Sequence, residues 1–330
     1  MTFGSVPVDE ATGGILAHAL RLPNGVLKKG TVLQADHIKA LTDAGLREVV
    51  VAQLSASDLL EDEAAQQIGE ALISDGFRLG AAFTGRSNVI AEKPGVVRVN
   101  TEAVKALNAI DEGLTLATLP DLMRVDVNQL VGTVKIIPYG LQDSIVEAGL
   151  ATLGRPTLSL HPFEGGTAQL VMTVTPGFKK SLLKKGEDAV RARLETLNYS
   201  LTDVATVPHE TGAVAAALTG TADLTLILGA SATSDRADVA PAALIAAGGR
   251  IDRFGMPVDP GNLIFLGELN RAPVVGLPGC ARSPALNGVD WVLERISARI
   301  PVTAEDIAAM GVGGLLKEMP GRPQPRRPAQ

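Results

Sequence analysis

The sequence predicts an α/β protein: a C-terminal half built on a mostly parallel sheet covered on both faces, preceded by a small β-rich module and a mixed α+β module. Three observations predict it. From about Thr167, short runs of Leu, Val, Ile and Met alternate with amphipathic or Ala-rich stretches, as strands joined by crossover helices do. The 35 glycines and 20 prolines are scattered as punctuation, which implies many turns between short elements. The first 55 residues instead place two candidate strands around a turn signal, Asn24-Gly25, and read as a small β-rich unit with one helix.

Each element has its own warrant. Ile15–Leu22 and Val26–Leu33 flank the Asn-Gly turn. Ala35–Ala44 sets Ile38 and Leu41 at helical spacing, and Gly45 stands where a helix end favours a positive φ. Leu46–Ala52 is a β-branched strand. Residues 56–80 read as an acidic amphipathic helix, with Leu59, Leu60, Ile68, Leu72 and Ile73 apolar and Gly76 closing it. Over 81–150 the sequence shows a strand at Val96–Val99, a helix over Thr101–Ile110, and strands at Leu114–Leu119 and Thr133–Ile137. His161-Pro162-Phe163-Glu164 turns the chain between modules. Beyond it come the strand Ala168–Thr175, the helix Ser181–Leu197, the strand Leu201–Val207, the helix Thr211–Leu218 and the strand Leu224–Leu228. The helix Asp238–Ala247, the strands Leu263–Leu266 and Val274–Leu277, and the helix Ala285–Arg299 complete the alternation. The expected organisation is a β-rich module over 1–55, a mixed α+β module over 56–160 and an α/β domain over 161–300. Residues 301–330 hold a C-terminal helix and a Pro- and Arg-rich tail, in which Pro320–Gln330 reads as an extended segment.

Composition removes several function classes. With 330 residues, 46% hydrophobic and 20% charged, the chain can bury a core and is not a disordered polymer. Lys and Arg number 30 against 36 Asp and Glu, a net charge of −6, which argues against a duplex nucleic-acid partner. Aromatics at 3% leave few rings on which unpaired bases could stack. The most apolar stretch, Gly212–Ala232, is interrupted by Gly220 and Asp223, so no membrane span is expected. The opening MTFGSVPVDE lacks the basic-then-apolar pattern of a signal peptide, and a cytoplasmic location is expected. A single cysteine excludes an internal disulfide. The histidines, His18, His37, His161 and His209, show no i, i+4 pair of the kind zinc sites use.

Chemistry is expected where parallel strands end, in the loops after Thr175, Gly229 and Leu277. The strongest signal is Gly229-Ala230-Ser231-Ala232-Thr233-Ser234-Asp235, between a strand and a helix opening near Asp238. Small residues let a ligand reach the backbone, loop N–H groups and a helix N-terminus favour an anion, and three hydroxyls add donors. Asp235 could hold a divalent cation bridging to a phosphate. The plainer alternative is a strand-to-helix loop with Asp238 as N-cap. The second signal is Gly276-Leu277-Pro278-Gly279 followed by Cys280-Ala281-Arg282-Ser283, in which Arg282 and Ser283 could meet phosphate and Cys280 reads as a small buried residue. Gly177–Ser181 lacks the spacing of a Walker loop. Arg86, Asn88 and Lys135 stand beside turns, as solvated positions or as caps on a ligand.

Together these segments resemble the molybdopterin-binding family of molybdenum-cofactor biosynthesis. DLTLILGASATSDRADVAPAAL stands where that family carries an Asp-Leu strand, a Gly-Gly turn, and an acidic residue before a helix. GMPVDPGNLIFLGEL resembles its Met-Lys-Pro-Gly-Lys-Pro segment, and APVVGLPGCARSPAL its Gly-Leu-Pro-Gly-Asn-Pro loop. GVLKKGTVLQADHIKALTDAGLREVVV resembles an N-terminal segment of the molybdopterin molybdenumtransferases. The resemblance covers residues 10–52 and 165–300, and the run after Val274 is similar to a divergent branch often fused to a cytidylyltransferase-like domain. It implies a three-layer molybdopterin-binding fold, a homodimer, and molybdopterin or its nucleotide ester as ligand or substrate. It implies cofactor binding by Gly229, Ala230, Ser231, Ala232, Thr233, Ser234, Pro278, Gly279, Cys280 and Ser283, with Asp235 as Mg²⁺ ligand and catalytic residue. Departures stand at Ala230, Phe178 and Cys280, and at Asp259 and Asn262 in place of two lysines. Losing those cations removes charge-assisted bonds worth about 1.5–3 kcal/mol each. Three functions stay open: a transferase that inserts molybdate, a non-catalytic carrier serving a nucleotidyltransferase partner, and a metal-dependent pyrophosphatase of the same fold.

Overall fold

The computed structural model describes residues 1–153 and 156–316, and the chain divides into two compact units, Met1–Leu160 and the residues from His161 onward. The segment Pro320–Gln330 lies outside the described residues. In the first unit, Thr2–Pro7 pairs antiparallel with Glu48–Gln53, which also pairs with Ile15–Leu16. Val8, Leu16, Leu33, Leu41, Val49 and Val51 form the core of this module. The expected hairpin is present but short: Leu20–Leu22 pairs with Gly25–Leu27 around Pro23-Asn24. The helix Ala35–Asp43 stops where glycine was expected to stop it, with Gly45 at φ 78°.

The rest of the first unit holds a four-stranded antiparallel sheet, ordered Leu114–Thr118, Leu130–Ile136, Arg86–Ala91, Phe77–Leu79. The helices Glu61–Leu72 and Asp143–Leu153 pack Ile68, Leu72, Val146 and Leu153 against Leu114, Leu116, Val134 and Ile136. The stretch 56–80 is not one helix. Asp58–Leu60 is a strand paired with Gly140–Gln142, the helix covers Glu61–Leu72, and Gly76, at φ 93°, turns the chain into the strand Phe77–Leu79. The turn expected at His161-Pro162 is instead the end of the strand Leu158–Pro162.

The second unit is α/β with a mostly parallel sheet, as the alternation predicts. Its six strands lie in the order Tyr199–Pro208, Gly166–Val174, Leu224–Leu228, Ala272–Leu277, Phe265–Leu269, Arg250–Phe254. The first four are parallel, Phe265–Leu269 runs antiparallel to them, and Arg250–Phe254 pairs antiparallel with Phe265–Leu269. Every residue of Leu224–Leu228 is buried, because helices cover both faces. On one face Val171, Ile227, Phe265 and Val274 meet Val214 and Leu218 with Ala240, Ala243 and Leu244 of the helix Val239–Ala246. On the other, Leu228 approaches Gly186 of the helix Lys180–Glu195, where a Cβ would sit 2.9 Å from Leu228 Cδ2. From Gly166–Val174 the chain crosses to the strand on one side, and then returns to Leu224–Leu228 on the other. The carboxyl ends of these two strands therefore mark the switch point at which open α/β sheets bind their ligands.

Candidate functional site

Met172 is level with Leu228, and Leu228 with Leu277, so three neighbouring strands release their loops at one edge. The loop after Leu228 is held at both ends. At its start the Ala230 N–H donates to Thr173 Oγ1 at 2.6 Å, and Thr173 is fully buried. At its end the Ser234 N–H donates to Asp238 Oδ2 at 3.1 Å, while Asp238 Oδ1 accepts the Val239 N–H at 2.8 Å. Asp238 is thus the helix cap that the sequence suggested. Between the two tethers, the backbone N–H groups of Ser231, Ala232 and Thr233 carry no hydrogen bond among the described residues. Ser231, Ala232, Ser234 and Asp235 are exposed. A short loop with fixed ends and free amides is preorganised to receive an oxyanion.

The facing wall follows Leu277: Pro278 is buried, Gly279 is exposed, and Gly279–Arg282 makes a single 3-10 turn. Arg193 holds this turn from the helix Lys180–Glu195. Its Nε donates to Asp290 Oδ1 at 2.7 Å, Nη1 to the Ala281 carbonyl at 2.7 Å, and Nη2 to the carbonyls of Ser283 and Ala285. Ser283 Oγ is engaged locally, accepting the Ala285 N–H at 3.3 Å. Cys280 is exposed, which corrects the expectation of a buried residue: Ala281 takes the inward position of the turn, and Cys280 Sγ accepts from Asn287 Nδ2 at 3.0 Å.

Arg282 joins the two walls. Its Nη2 donates to the Gly229 carbonyl at 2.6 Å, and its guanidinium lies 5.8 Å from the centre of the Phe178 ring, in the loop after Val174. Burial pushes its pKa below the usual guanidinium value, and no carboxylate pairs with it among the described residues. A half-buried cation without a counter-ion is costly, and an anion bound beside it would remove that cost.

The structure brings Gly229, Ala230, Ser231, Ala232, Thr233, Ser234 and Asp235 to the same edge as Pro278, Gly279, Cys280 and Ser283. Arg86, Asn88 and Lys135 belong to the first unit, where Lys135 Nζ donates to the Thr84 carbonyl at 2.6 Å and lies 3.6 Å from Glu61. Burial raises the Glu61 pKa, against the lowering effect of Lys135. Asp235 Oδ1 accepts the Ala237 N–H at 2.7 Å, which leaves Oδ2 for a cation. Among the described residues no group of three or more His, Cys, Asp or Glu could hold a metal ion. One carboxylate oxygen fits a Mg²⁺ that draws its other ligands from phosphate and water. Sequence reasoning missed Thr173 and His209, whose Oγ1 and Nδ1 lie 2.8 Å apart across two strand ends. The only signal was a hydroxyl, Thr173, inside the apolar run AQLVMTV.

Comparison with known proteins adds the following. A family model described as a domain of unknown function (DUF8806) matches residues 5–53. No curated protein matches the chain. Among solved structures, the chain is similar to a molybdopterin biosynthesis MoeA protein from Pyrococcus horikoshii, at 13% identity over 91% of this chain and 76% of that one, with a TM-score of 0.31. It is also similar to the molybdopterin biosynthesis enzyme MoaB from Thermus thermophilus, at 18% identity over 46% and 99% of the two chains, with a TM-score of 0.29. A molybdenum cofactor biosynthesis protein from Pyrococcus furiosus matches at 13% identity over 93% and 65%, with a TM-score of 0.24. No helix among the described residues is long and apolar enough to cross a membrane.

Proposed function

We propose that this protein binds molybdopterin, or its nucleotide ester, through the phosphate group at the carboxyl edge of the second unit's sheet, and that it acts in molybdenum-cofactor biosynthesis as a carrier. The observation that carries this reading is Arg282, a half-buried guanidinium without an acidic partner, hydrogen-bonded to the first residue of a loop whose central amides are free. The phosphate lies on the N–H groups of Ser231–Thr233 with Arg282 beside it. Asp235 holds a Mg²⁺ that separates its carboxylate from the phosphate and adds the charge neutralisation such a cation supplies. Gly279 and Cys280 form the opposite wall. The pterin class itself rests on the sequence resemblance across residues 165–300.

A carrier is favoured over molybdate insertion by one feature. Asp259 and Asn262 stand where the transferase segment carries lysines, and Asp259 is tied by its backbone to Gly314 and Leu316. No cation stands at those two positions to draw molybdate toward the dithiolene. The reading predicts that protein purified from cells able to make the cofactor releases pterin on denaturation, detected by fluorescence after oxidation. Absence of pterin from such material, with an authentic binding protein prepared in parallel as positive control, would refute it.

A further inference from the structure

The hydrogen-bond chain beneath the loop selects one tautomer of the neutral His209 ring. Thr173 Oγ1 already accepts the Ala230 N–H at 2.6 Å, and its other neighbour is His209 Nδ1 at 2.8 Å. The hydroxyl has one proton to place, and Thr173 is fully buried. If Nδ1 carried a hydrogen, Oγ1 would accept twice and its own proton would have no acceptor, at the cost of an unsatisfied buried group. The hydroxyl therefore donates to Nδ1, and the imidazole proton sits on Nε2. The backbone N–H of His209 donates to the Val174 carbonyl at 2.8 Å, so the ring is anchored to the strand that carries Thr173.

The ring faces the loop. Its Cε1, the atom between the two nitrogens, lies 3.8 Å from the position a Cβ would take at Gly229. Nε2, the next ring atom, has no hydrogen-bond partner among the described residues. A half-buried N–H donor thus stands beside the first residue of a loop whose own free N–H groups begin two residues later.

We infer that His209 is a contact residue for the bound oxyanion, presenting its Nε2–H to a phosphate oxygen, and that Thr173 is a positioning residue that fixes both this tautomer and the first peptide of the loop. The inference rests on the phosphate reading of the Gly229–Asp235 loop. It extends that site to a third strand end, because His209 follows Tyr199–Pro208. A donor on Nε2 and an acceptor on Nδ1 give the two nitrogens separate tasks. Asn at position 209 can keep the acceptor toward Thr173, but it does not reach the anion.

Nitrogen NMR of the whole protein with labelled histidine, with inorganic pyrophosphate as the probe, tests this in two stages. Without ligand, His209 is expected as the Nε2–H tautomer in wild type and Thr173→Ser, with that preference lost in Thr173→Val. On titration, the amides of Ser231–Thr233 and the His209 Nε2 signal are expected to move together. His209→Asn is expected to weaken pyrophosphate binding about tenfold while the loop amides still respond, as loss of one hydrogen bond to a charged group implies. A proton found on Nδ1 overturns the inference. So does pyrophosphate that moves the loop amides but leaves Nε2 still and the His209→Asn affinity unchanged, and in that case the phosphate reading survives. Pyrophosphate that moves neither the loop nor the ring overturns both.

Discussion

Arg282 is the residue at which stability and binding are set against each other. Its guanidinium is half-buried, lies beside the Phe178 ring and the Gly229 carbonyl, and has no acidic partner among the described residues. Arg282→Met keeps the stem and removes the uncompensated charge. Its stability in urea is expected within about 1 kcal/mol of wild type, because the lost hydrogen bond and the relieved desolvation offset each other. Ligand affinity measured by calorimetry is expected to drop at least tenfold. Unfolding at markedly lower urea would show that Arg282 is a structural tie between loops. The two aspartates of the loop make the complementary case. Asp238 caps the helix with one oxygen and holds Ser234 with the other, whereas Asp235 uses only Oδ1. Asp235→Asn is expected to weaken ligand binding when Mg²⁺ is present and to change little in EDTA. Asp238→Asn is expected to bind nearly as wild type, since Asn caps a helix about as well as Asp. Equal affinities for wild type and Asp235→Asn in saturating Mg²⁺ would remove Asp235 from the site.

At the scale of elements, Gly276 shows how packing and a motif can share a residue. It lies opposite Phe265 on the neighbouring antiparallel strand, and a Cβ there would fall inside the ring's space. Gly276→Ala is therefore expected to destabilise the second unit by about 1–3 kcal/mol through overpacking. Phe265→Leu in the same chain should recover part of the loss, read as a non-additive double-mutant cycle in urea. Strict additivity would mean that the glycine serves the loop rather than the ring. The same strands show what sequence could and could not tell. The apolar runs of Ala168–Thr175 and Leu224–Leu228 announced buried parallel strands, and the free positions Ser231–Thr233 lay in the loop singled out for an anion. Arg250–Phe254 escaped notice because it is an edge strand carrying Arg250 and Asp252, charges that protect an edge but break the apolar signal. Asp143–Leu153 escaped because small residues, Ala148, Gly149 and Ala151, stand among Ile145, Val146, Leu150 and Leu153 and blur the contrast between the helix's two faces. Residues 56–60 were absorbed into a helix because the partner strand, Gly140–Gln142, is about eighty residues away. Thr173 and His209 meet only through strand pairing, at a separation of 36 residues, so no local spacing could join them.

At the scale of the molecule, a chain of net charge −6 places Arg282, half-buried and without a carboxylate partner among the described residues, at the sheet edge where the strand order reverses. A local cation can favour an anion at one place on a chain whose net charge is negative. On the proposed reading this place receives the phosphate of a pterin, with little contribution from base stacking, since Phe178 is the aromatic ring found beside Arg282. Calorimetric titration of the intact protein with molybdopterin and, separately, with ATP, both in Mg²⁺, tests it most directly. Saturable binding of molybdopterin at least tenfold tighter than that of ATP is expected, and ATP bound as tightly as molybdopterin would overturn the pterin reading.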